Sequence, residues 1–344
     1  MNIVVLCGGI SSERDVSITS GTMVAKALRE QGHKVVLLDA FFGCTEPYER
    51  PETLFGRAAG DELILVGEKE PELDKIWAMR RQNNDSVLGD NVLEVCRAAD
   101  ITFFALHGEE GENGRLQAAF DIAGIKYTGS GYLGSALAMN KTLSKKLFEC
   151  SGILTPDGIT VYAGQAPYAD AGFPCVVKPC SGGSSIGTSI VNSRSEYDAA
   201  LALAFKYERA VIVERYIKGR ELTVGVIDGQ AMPVVEIIPK AGFYDYRNKY
   251  QAGLTAELCP APISDGITRH IQRLSEKVND ILMIEAYCRV DFLMDAEERL
   301  FCLEANTLPG MTPTSLIPQM ASAQGKSFGE LCDEIIAASL KKYR

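Results

Sequence analysis

The sequence predicts an α/β protein with a doubly wound parallel sheet at its N-terminus and antiparallel strands in its second half. Strand-length apolar runs alternate with helical patterns in the first third of the chain, and unbroken apolar runs are typical of parallel strands buried on both faces. Later strands are short and separated by turn signals such as Asp228-Gly229, which favour antiparallel hairpins. The length of 344 residues also exceeds that of one ordinary domain.

The N-terminal elements alternate strand, helix and strand. The apolar run Ile3–Cys7 predicts a strand that stops at Gly8-Gly9, and a polar loop follows it. Apolar residues at helical spacing then continue to Leu28, and Lys34–Leu38 predicts the next strand. In parallel sheets ligands gather beyond the carboxyl ends of the strands. The polar loop that carries Glu13 is therefore placed at the binding edge.

A further buried run, residues 101–107, precedes the glycine-rich sequence GEEGENG. A helix from about Leu116 and a short strand at residues 126–128 are predicted to complete the parallel part. The pattern then changes, near Asn140. The predicted helices there are 143–152, 197–205, 267–282 and two closing helices, and the predicted strands are 173–178, 188–191, 211–217, 222–227, 232–238, 286–294 and 300–305.

These changes of pattern predict three lobes. Residues 1–95 form the N-terminal α/β lobe, 96–185 the central lobe, and 186–344 the C-terminal lobe. A polar, tyrosine-rich stretch at 239–253 interrupts the C-terminal strands. Such a polar stretch between strands predicts a loop.

Composition excludes several classes of protein. Forty-five acidic residues against 35 basic ones give a net charge of −10, which argues against binding to a nucleic-acid backbone. The chain lacks the ~20 consecutive apolar residues that a membrane helix needs. Its ten cysteines are dispersed and form no C-x-x-C pair, as expected of a reducing compartment. We therefore expect a soluble, cytoplasmic protein that binds neither nucleic acid nor membrane.

Two predicted strands near the C-terminus carry polar side chains at matching positions. Residues two apart on a strand share a face, so Arg289 and Asp291 point together, as do Glu304 and Asn306. If the strands are neighbours, the carboxylate and amide oxygens form a set suited to Mg²⁺. An ordinary strand pair with one Arg–Asp bridge explains the spacing equally well. The following segment, LPGMTPTSL, supplies backbone N–H groups and a hydroxyl that can meet an anion.

Two further segments suggest nucleotide binding. In KPCSGGSSIG, Lys178 ends an apolar strand and a glycine-serine loop follows, an arrangement that can hold phosphate oxygens. In ERYIKGRELTV, the backbone of Glu214–Ile217 can meet an adenine edge, and Glu221 can hold ribose hydroxyls. A hairpin without a ligand explains each segment by itself.

Together, in this order, the motifs resemble the D-alanine–D-alanine ligase family of the ATP-grasp superfamily. The resemblance runs nearly end to end and rests on CGGISSERDVSITSG, ALHGEEGENGRLQ, YTGSGYLGSALAMNK, VVKPCSGGSSIG, VERYIKGRELTV, FYDYRNKY, CRVDF and LEANTLPGMTPTSLIP. It implies an ATP-grasp fold of three lobes, with ATP held between the central and C-terminal lobes. It also implies that members are commonly homodimers.

The resemblance implies a role for each matching nucleotide and metal residue. ATP would be bound through its phosphates by Lys141 and Lys178, through its adenine by Glu214, Arg215, Tyr216 and Ile217, and through its ribose by Glu221. Ser184, Ser185 and Lys249 would complete the nucleotide site. Two Mg²⁺ ions, with Mn²⁺ as an alternative, would be bound by Asp291, Glu304 and Asn306.

The resemblance likewise implies how amino acids would be held. The ammonium of the first D-alanine would meet Glu13, and the oxyanion would meet Arg289 and the Gly310 amide. The second D-alanine would lie near Ser315 and Leu316. A hydrogen-bonded set of Glu13, Ser184 and Tyr250 would hold a lid formed by residues 240–253 and the Gly182–Gly183 loop. None of the three histidines, His33, His107 and His270, is given a role.

The activity expected from the resemblance is ATP-dependent coupling of two D-alanines, through an acyl phosphate, into a peptidoglycan precursor. Ligases that join D-alanine to D-serine or D-lactate are the nearest alternatives. A tyrosine at position 250 favours an amine acceptor, because relatives that use lactate carry a histidine in this loop. A nucleotide-binding sensor without chemistry is an alternative of another class. Such a sensor would not need both an oxyanion donor and metal oxygens.

Overall fold

The computed structural model describes residues 1–45, 47–57, 71–80, 85–164, 172–240, 255–312 and 315–344. The strands in this part of the chain form one parallel sheet of three strands and two antiparallel sheets of four and five. The two halves of the predicted fold class, parallel first and antiparallel afterwards, are thus confirmed. The predicted lobe boundaries near residues 95 and 185 stay a prediction.

The parallel sheet has the order β2-β1-β3, with β1 at Asn2–Cys7, β2 at Lys34–Asp39 and β3 at Ile101–Phe104. Its first strand ends in two glycines with φ of +71° and +75°. A side chain at Gly8 would also collide with the Asp39 carboxylate, so this turn requires glycine.

The predicted strands at 101–107 and 126–128 are longer than the observed ones. β3 stops at Phe104 because the next carbonyls bind side chains instead of a neighbouring strand: Ser17 donates to Ala105 and Ser11 donates to His107. Residues 126–128 make a single parallel bridge, between Tyr127 and Thr102.

The helices of the described residues follow in chain order. They are α1 (Arg14–Glu30), α2 (Leu73–Met79), α3 (Val92–Arg97), α4 (Glu109–Glu112), α5 (Arg115–Ile122), α6 (Tyr132–Met139), α7 (Lys141–Cys150), α8 (Arg194–Ala204), α9 (Asp265–Ile281), α10 (Leu316–Ala323) and α11 (Phe328–Leu340). Side-chain oxygens cap several of them, as Asn140 does for α7 and Ser327 for α11. The Asn140 cap fixes where α7 begins and so positions Lys141.

The four-stranded sheet has the order β4-β7-β5-β6. Its strands are β4 (Gly158–Tyr162), β5 (Cys175–Pro179), β6 (Ser189–Val191) and β7 (Ala210–Arg215). The sequence CSGGSSIG joins β5 to β6 as the predicted antiparallel hairpin. The predicted strand at 211–217 ends earlier, at Arg215.

The five-stranded sheet has the order β10-β9-β8-β11-β12. It consists of β8 (Arg220–Ile227), β9 (Gln230–Pro239), β10 (Thr255–Leu258), β11 (Tyr287–Met294) and β12 (Leu300–Asn306). β11 and β12 are antiparallel neighbours, and their register places Asp291 opposite Glu304 and Arg289 opposite Asn306. The condition on which the predicted oxygen cluster depended is therefore met.

Each sheet has its own apolar core. One cluster joins the parallel sheet to α10 and α11, a second lies between α9 and the five-stranded sheet, and a third lies beneath α8. Within the described ranges, no helix combines the length and apolar character needed to span a bilayer. The facing antiparallel sheets leave a cleft between them, which contains the candidate site.

Candidate active site

A cavity of about 410 Å³ lies between the two antiparallel sheets. β5, β6 and β7 supply one wall, and β8, β9, β11 and β12 supply the other. Most residues predicted to hold a nucleotide or metal line this cavity: Lys141, Lys178, Ser184, Ser185, Glu214, Arg215, Tyr216, Ile217, Glu221, Asp291 and Glu304. The fold thus brings to one place residues separated by up to 163 positions (304 − 141).

In the lining of the cleft, Lys141 contacts the carboxylate of Glu304. The Lys141 ammonium lies 3.0 Å from Glu304 Oε2 and donates to the Gly182 carbonyl at 2.7 Å. Burial by itself would lower the pKa of Lys141, but Glu304 outweighs burial and raises it. Lys141 therefore stays charged beside the glycine loop.

Asp291 is held next to this pair by two donors. Arg289 donates to both carboxylate oxygens, at 2.9 and 2.7 Å, and Thr223 donates to Oδ1 at 2.6 Å. The β11–β12 register shifts between Asp291 and Phe292, and such bulges are common beside active sites. The Arg–Asp bridge considered as an alternative does form, and its Asp291 lines the cavity wall opposite Glu304.

Asn306 lies opposite Arg289 at the end of β12. Its side-chain oxygen accepts from the Leu308 N–H at 2.9 Å. That hydrogen bond starts the turn into the loop that carries Gly310 and Ser315. Asn306 is thus on the same strand pair as Asp291 and Glu304, although it is absent from the wall of the 410 Å³ cavity.

Elsewhere in the lining of the cleft, Glu214 lies between two lysines. Its Oε1 is 2.5 Å from the Lys178 ammonium, and its Oε2 is 2.8 Å from that of Lys145. Burial alone would raise the pKa of Glu214, but the two ammonium groups outweigh burial and lower it. For Lys145 the balance is reversed: burial dominates and lowers its pKa, although Glu214 opposes it.

A second cavity, of about 400 Å³, lies on the other side of the glycine loop. Glu13 lines it, and Pro179, Gly182, Gly183 and Ile186 line both cavities. The Ser184 hydroxyl donates to Glu13 Oε1, which joins the start of α1 to the loop. A Cβ at Gly183 would lie 2.9 Å from Glu13 Oε2, so only glycine allows this close approach.

The loop after β12 folds back on itself at Gly310. Ser315 precedes α10, and its hydroxyl oxygen accepts from the Thr312 N–H at 3.1 Å. A Cβ at Gly310 would lie 3.0 Å from that oxygen. Leu316 begins α10 and is buried. Gly310, Ser315 and Leu316 are therefore close together, as the predicted acceptor pocket requires.

Lys249 and Tyr250 lie outside the described residues, as does most of the predicted lid. Their roles, and the hydrogen bond of Tyr250 to Glu13 and Ser184, stay predictions.

His107 is one residue to which the sequence interpretation gave no role. Its Nδ1 lies 2.9 Å from the Leu308 carbonyl and its Nε2 lies 3.1 Å from the Ser20 hydroxyl. A carbonyl only accepts, so Nδ1 donates to Leu308; burial lowers the pKa of His107, so Nε2 accepts from Ser20. His107 thereby ties the parallel sheet to the loop that carries Gly310. The position of His107 after a strand and before the glycine-rich turn could have indicated that it lies at the binding edge of the sheet.

Glu112 and Lys145 were also missed. Glu112 accepts from the Gly108 N–H at 2.8 Å, and burial, followed by the charges of Glu13 and Glu304, raises its pKa to about 8. Lys145 lies one helical turn after Lys141 and is 6% exposed. The (i, i+4) spacing of the two lysines could have indicated a shared face, but a lysine-rich helix face is usually solvated.

Family models match both halves of the chain. The model described as D-ala D-ala ligase N-terminus matches residues 2–130, and the one described as D-ala D-ala ligase C-terminus matches residues 163–337.

Curated relatives match the chain end to end. The D-alanine–D-alanine ligase of Lacticaseibacillus casei (strain BL23) is 39% identical over 346 residues, covering 100% of this chain and 97% of the relative. That of Pediococcus pentosaceus is 40% identical, covering 100% and 99%.

Solved structures agree with the sequence relatives. The D-alanine–D-alanine ligase of Bacillus anthracis complexed with ATP has a TM-score of 0.77 and 29% identity, covering 99% of this chain and 98% of that one. The VanG D-Ala:D-Ser ligase of Enterococcus faecalis has a TM-score of 0.73 and 27% identity, covering 98% and 99%. With two family models over most of its length and relatives near 40% identity, this chain belongs to the D-alanine–D-alanine ligase family.

Proposed function

We propose that the protein is an ATP-dependent D-alanine–D-alanine ligase that supplies a peptidoglycan precursor. The observation that carries the proposal is the single cavity that Lys141, Lys178, Asp291 and Glu304 share. It offers cations for phosphates and hard oxygens for a metal in one cleft. The Bacillus anthracis relative was solved in complex with ATP, which supports the use of ATP.

The chemistry of the donor set suits Mg²⁺. Asp291 and Glu304 are opposite each other in register, and Asn306 adds an amide oxygen on the same strand pair. Two carboxylates with phosphate oxygens are a typical Mg²⁺ environment. No cluster of three or more His, Cys, Asp or Glu side chains able to hold a metal occurs among the described residues, so the nucleotide would complete the coordination. We propose two Mg²⁺ ions, replaceable by Mn²⁺, which would neutralise charge on the transferring phosphoryl group.

The protein's own residues can position and stabilise the reacting groups. A carboxylate is a poor electrophile, so ATP must first phosphorylate the first D-alanine. The amine of the second D-alanine then attacks the acyl phosphate, and phosphate leaves. Lys141 and Lys178 would hold the phosphates, since phosphoryl transfer depends on positioning and charge.

The substrate ammonium and the oxyanion need separate partners. Glu13, buried and fixed by Ser184, would hold the ammonium of the first D-alanine. Arg289 and the Gly310 N–H would donate to the oxyanion as the amine attacks. Preorganised donors of this kind lower the barrier because they need no reorientation during the reaction.

A lid would keep water from the acyl phosphate. We propose residues 240–253, with Lys249 and Tyr250, together with the Gly182–Gly183 loop. The support for this part is the sequence resemblance and the position of the glycine loop between the two cavities.

A D-alanine–D-serine ligase is the second candidate; the VanG structure has a similar fold, but the curated relatives at 39–40% identity are D-alanine–D-alanine ligases. D-Lactate as acceptor is a third possibility, which the tyrosine at position 250 disfavours. A non-catalytic sensor is less consistent with the site, because Arg289 and the metal oxygens are both retained.

Activity assays separate these candidates. Purified protein with ATP, Mg²⁺ and D-alanine is expected to release phosphate in step with dipeptide, and L-alanine is expected to support neither. Competition among D-alanine, D-serine and D-lactate at two pH values identifies the acceptor. Equal turnover with L-alanine would contradict the proposal, and nucleotide binding without phosphate release would favour the sensor.

We also propose that the protein is a cytoplasmic homodimer. Precursor synthesis from ATP belongs in the cytoplasm, and the resemblance implies the dimer. An apolar patch at Tyr132, Leu133 and Met283 is exposed on the surface of one open cavity, and such patches often mark interfaces. Light scattering of the full chain tests the dimer, and a monomer at micromolar concentration would contradict it.

A further inference from the structure

We propose that Lys145 is a positioning residue for the nucleotide: it neutralises Glu214, so that the charge of Lys178 remains available to the phosphates. The inference rests on the proposed nucleotide site and assigns a role to a residue that does not itself reach the ligand. Lys145 is not among the described residues that line the 410 Å³ cavity.

The surroundings of Lys145 occupy its whole hydrogen-bonding capacity. Its ammonium donates to Thr155 Oγ1 at 2.9 Å, to the Pro156 carbonyl at 2.7 Å and to Glu214 Oε2 at 2.8 Å. An ammonium has three N–H donors and no acceptor. Lys145 is thus fully bonded within the protein and contributes only its charge and its geometry to the cleft.

Lys178 differs from Lys145 in facing the cavity. It lines the cleft, and its ammonium is paired with Glu214 Oε1. Two ammonium groups around one carboxylate leave a net charge of about +1. Without Lys145, Glu214 and Lys178 would form a neutral pair, and the field at the phosphates would be weaker in this buried environment.

Lys145 also fixes the position of the carboxylate. Through Thr155 and Pro156 it ties α7 to the segment before β4, and β4 pairs with β7 at Gly158 and Glu214. A Cβ at Gly158 would lie 2.8 Å from Cβ of Glu214, so the two strands approach closely there. Lys145 and the strand pair together determine where Glu214 Oε1 meets the Lys178 ammonium.

The experiment compares the affinities of ADP and adenosine by calorimetry with the full chain. The ratio of the two dissociation constants reports the phosphates alone. Lys145→Met is expected to lower the ADP preference about tenfold, while any displacement of Glu214 beside the adenine should affect both ligands alike. Lys146→Met, on the exposed face of the same helix, is the matched control and should leave the ratio unchanged.

A second substitution distinguishes charge from packing. In Lys145→Met/Glu214→Gln the carboxylate is also removed, which restores a net charge of about +1 at Lys178. The ADP preference should return to the wild-type value even if the affinities of both ligands fall. If Lys145→Met does not fold, Glu214→Gln alone tests the same claim, since its ADP preference should equal or exceed that of the wild type.

Two results would overturn the inference and leave the proposed function intact. One is an unchanged ratio of the ADP and adenosine dissociation constants in Lys145→Met, and the other is a lowered ADP preference that the double variant does not restore. Lys178→Met reports on the proposed function separately. It should lower the ADP preference at least as much as Lys145→Met does; no effect would remove Lys178 from the phosphate site and the inference with it.

Discussion

Lys141 and Lys145 lie one turn apart on α7 and are equally buried, yet they experience opposite environments. Glu304 raises the pKa of Lys141 against the effect of burial, whereas burial lowers the pKa of Lys145 in spite of Glu214. The two pKa shifts differ because a second ammonium group, that of Lys178, lies near Lys145. Lys145 shares its carboxylate with Lys178, while Lys141 has the additional partner Gly182, a neutral carbonyl.

The two carboxylate–lysine groups are therefore suited to different tasks. In the Lys141 group, the carboxylates of Glu304 and Asp291 face the cavity and can exchange their present partners for a metal. In the Lys145 group, both oxygens of Glu214 are already engaged by ammonium groups. A substitution in the first group should affect turnover, and one in the second group should affect nucleotide affinity.

The largest expected effect is that of Glu304→Gln. The amide keeps the shape but removes the charge that a metal and Lys141 need. Turnover should fall about 10³-fold or more, with the melting temperature within a few degrees of wild type. Steady-state kinetics and thermal melting measure both. Glu297→Gln, on an exposed turn, is the control, and an active, folded Glu304→Gln would remove the metal assignment.

Arg289→Lys should have the next largest effect. Lysine keeps the charge but cannot form the two parallel hydrogen bonds that Arg289 makes with Asp291. We expect turnover to fall about 10²-fold, as for loss of one oxyanion donor, with ATP affinity nearly unchanged. A change confined to the ATP dissociation constant would indicate that Arg289 serves nucleotide binding. It would also weaken the distinction between the Lys141 group and the Lys145 group.

Ser184→Ala should act more mildly and on a different substrate. It removes the hydroxyl that donates to Glu13, so Glu13 loses its fixed orientation. The KM for D-alanine should rise about tenfold, with the KM for ATP less affected. Ser195→Ala, at an exposed position on α8, is the matched control. An equal rise in both KM values would indicate that Ser184 serves the nucleotide instead.

The smallest effect concerns a half-buried lysine that does not line the cleft. Burial lowers the pKa of Lys342 to about 8, and its ammonium lies 3.7 Å from the centre of the Tyr127 ring. Between about pH 8 and pH 10 the unfolded chain therefore binds the proton that the folded chain has lost, so stability from this group rises with pH. Compared with Lys342→Met, the wild-type free energy of unfolding should increase over this range. Parallel pH profiles would contradict the assignment, and activity should be the same in both proteins.

Much of the fold and of the cleft could be predicted from the sequence, because each depends on local patterns. Apolar runs located β1 and β2, and period-two polar positions placed Arg289 with Asp291, and Glu304 with Asn306, on one face of each strand. Element ends were less predictable. β3 stops where Ser17 and Ser11 satisfy backbone carbonyls, and those contacts span about a hundred residues.

Two of the residues that were missed, Lys145 and His107, have partners that are distant in the chain. Lys145 meets Glu214 across 69 positions, and His107 meets Leu308 across 201. Neither residue stands in a motif that suggests its partner. A lysine on a helix and a histidine after a strand are consistent with many environments, and only the packing of the sheets selects one.

The glycine loop at residues 182–183 is a wall with a different compartment on each side. A ligand that displaces this loop from one side also changes the shape of the cavity on the other side. Binding in either cavity should therefore alter the affinity of the other cavity for its ligand, and by the same factor in both directions. A small compound bound beside Glu13 would then change the affinity for ATP without entering the 410 Å³ cavity, where we propose that ATP binds. Such reciprocity would make this partition, two glycines wide, the place where the occupancies of the two cavities are coupled.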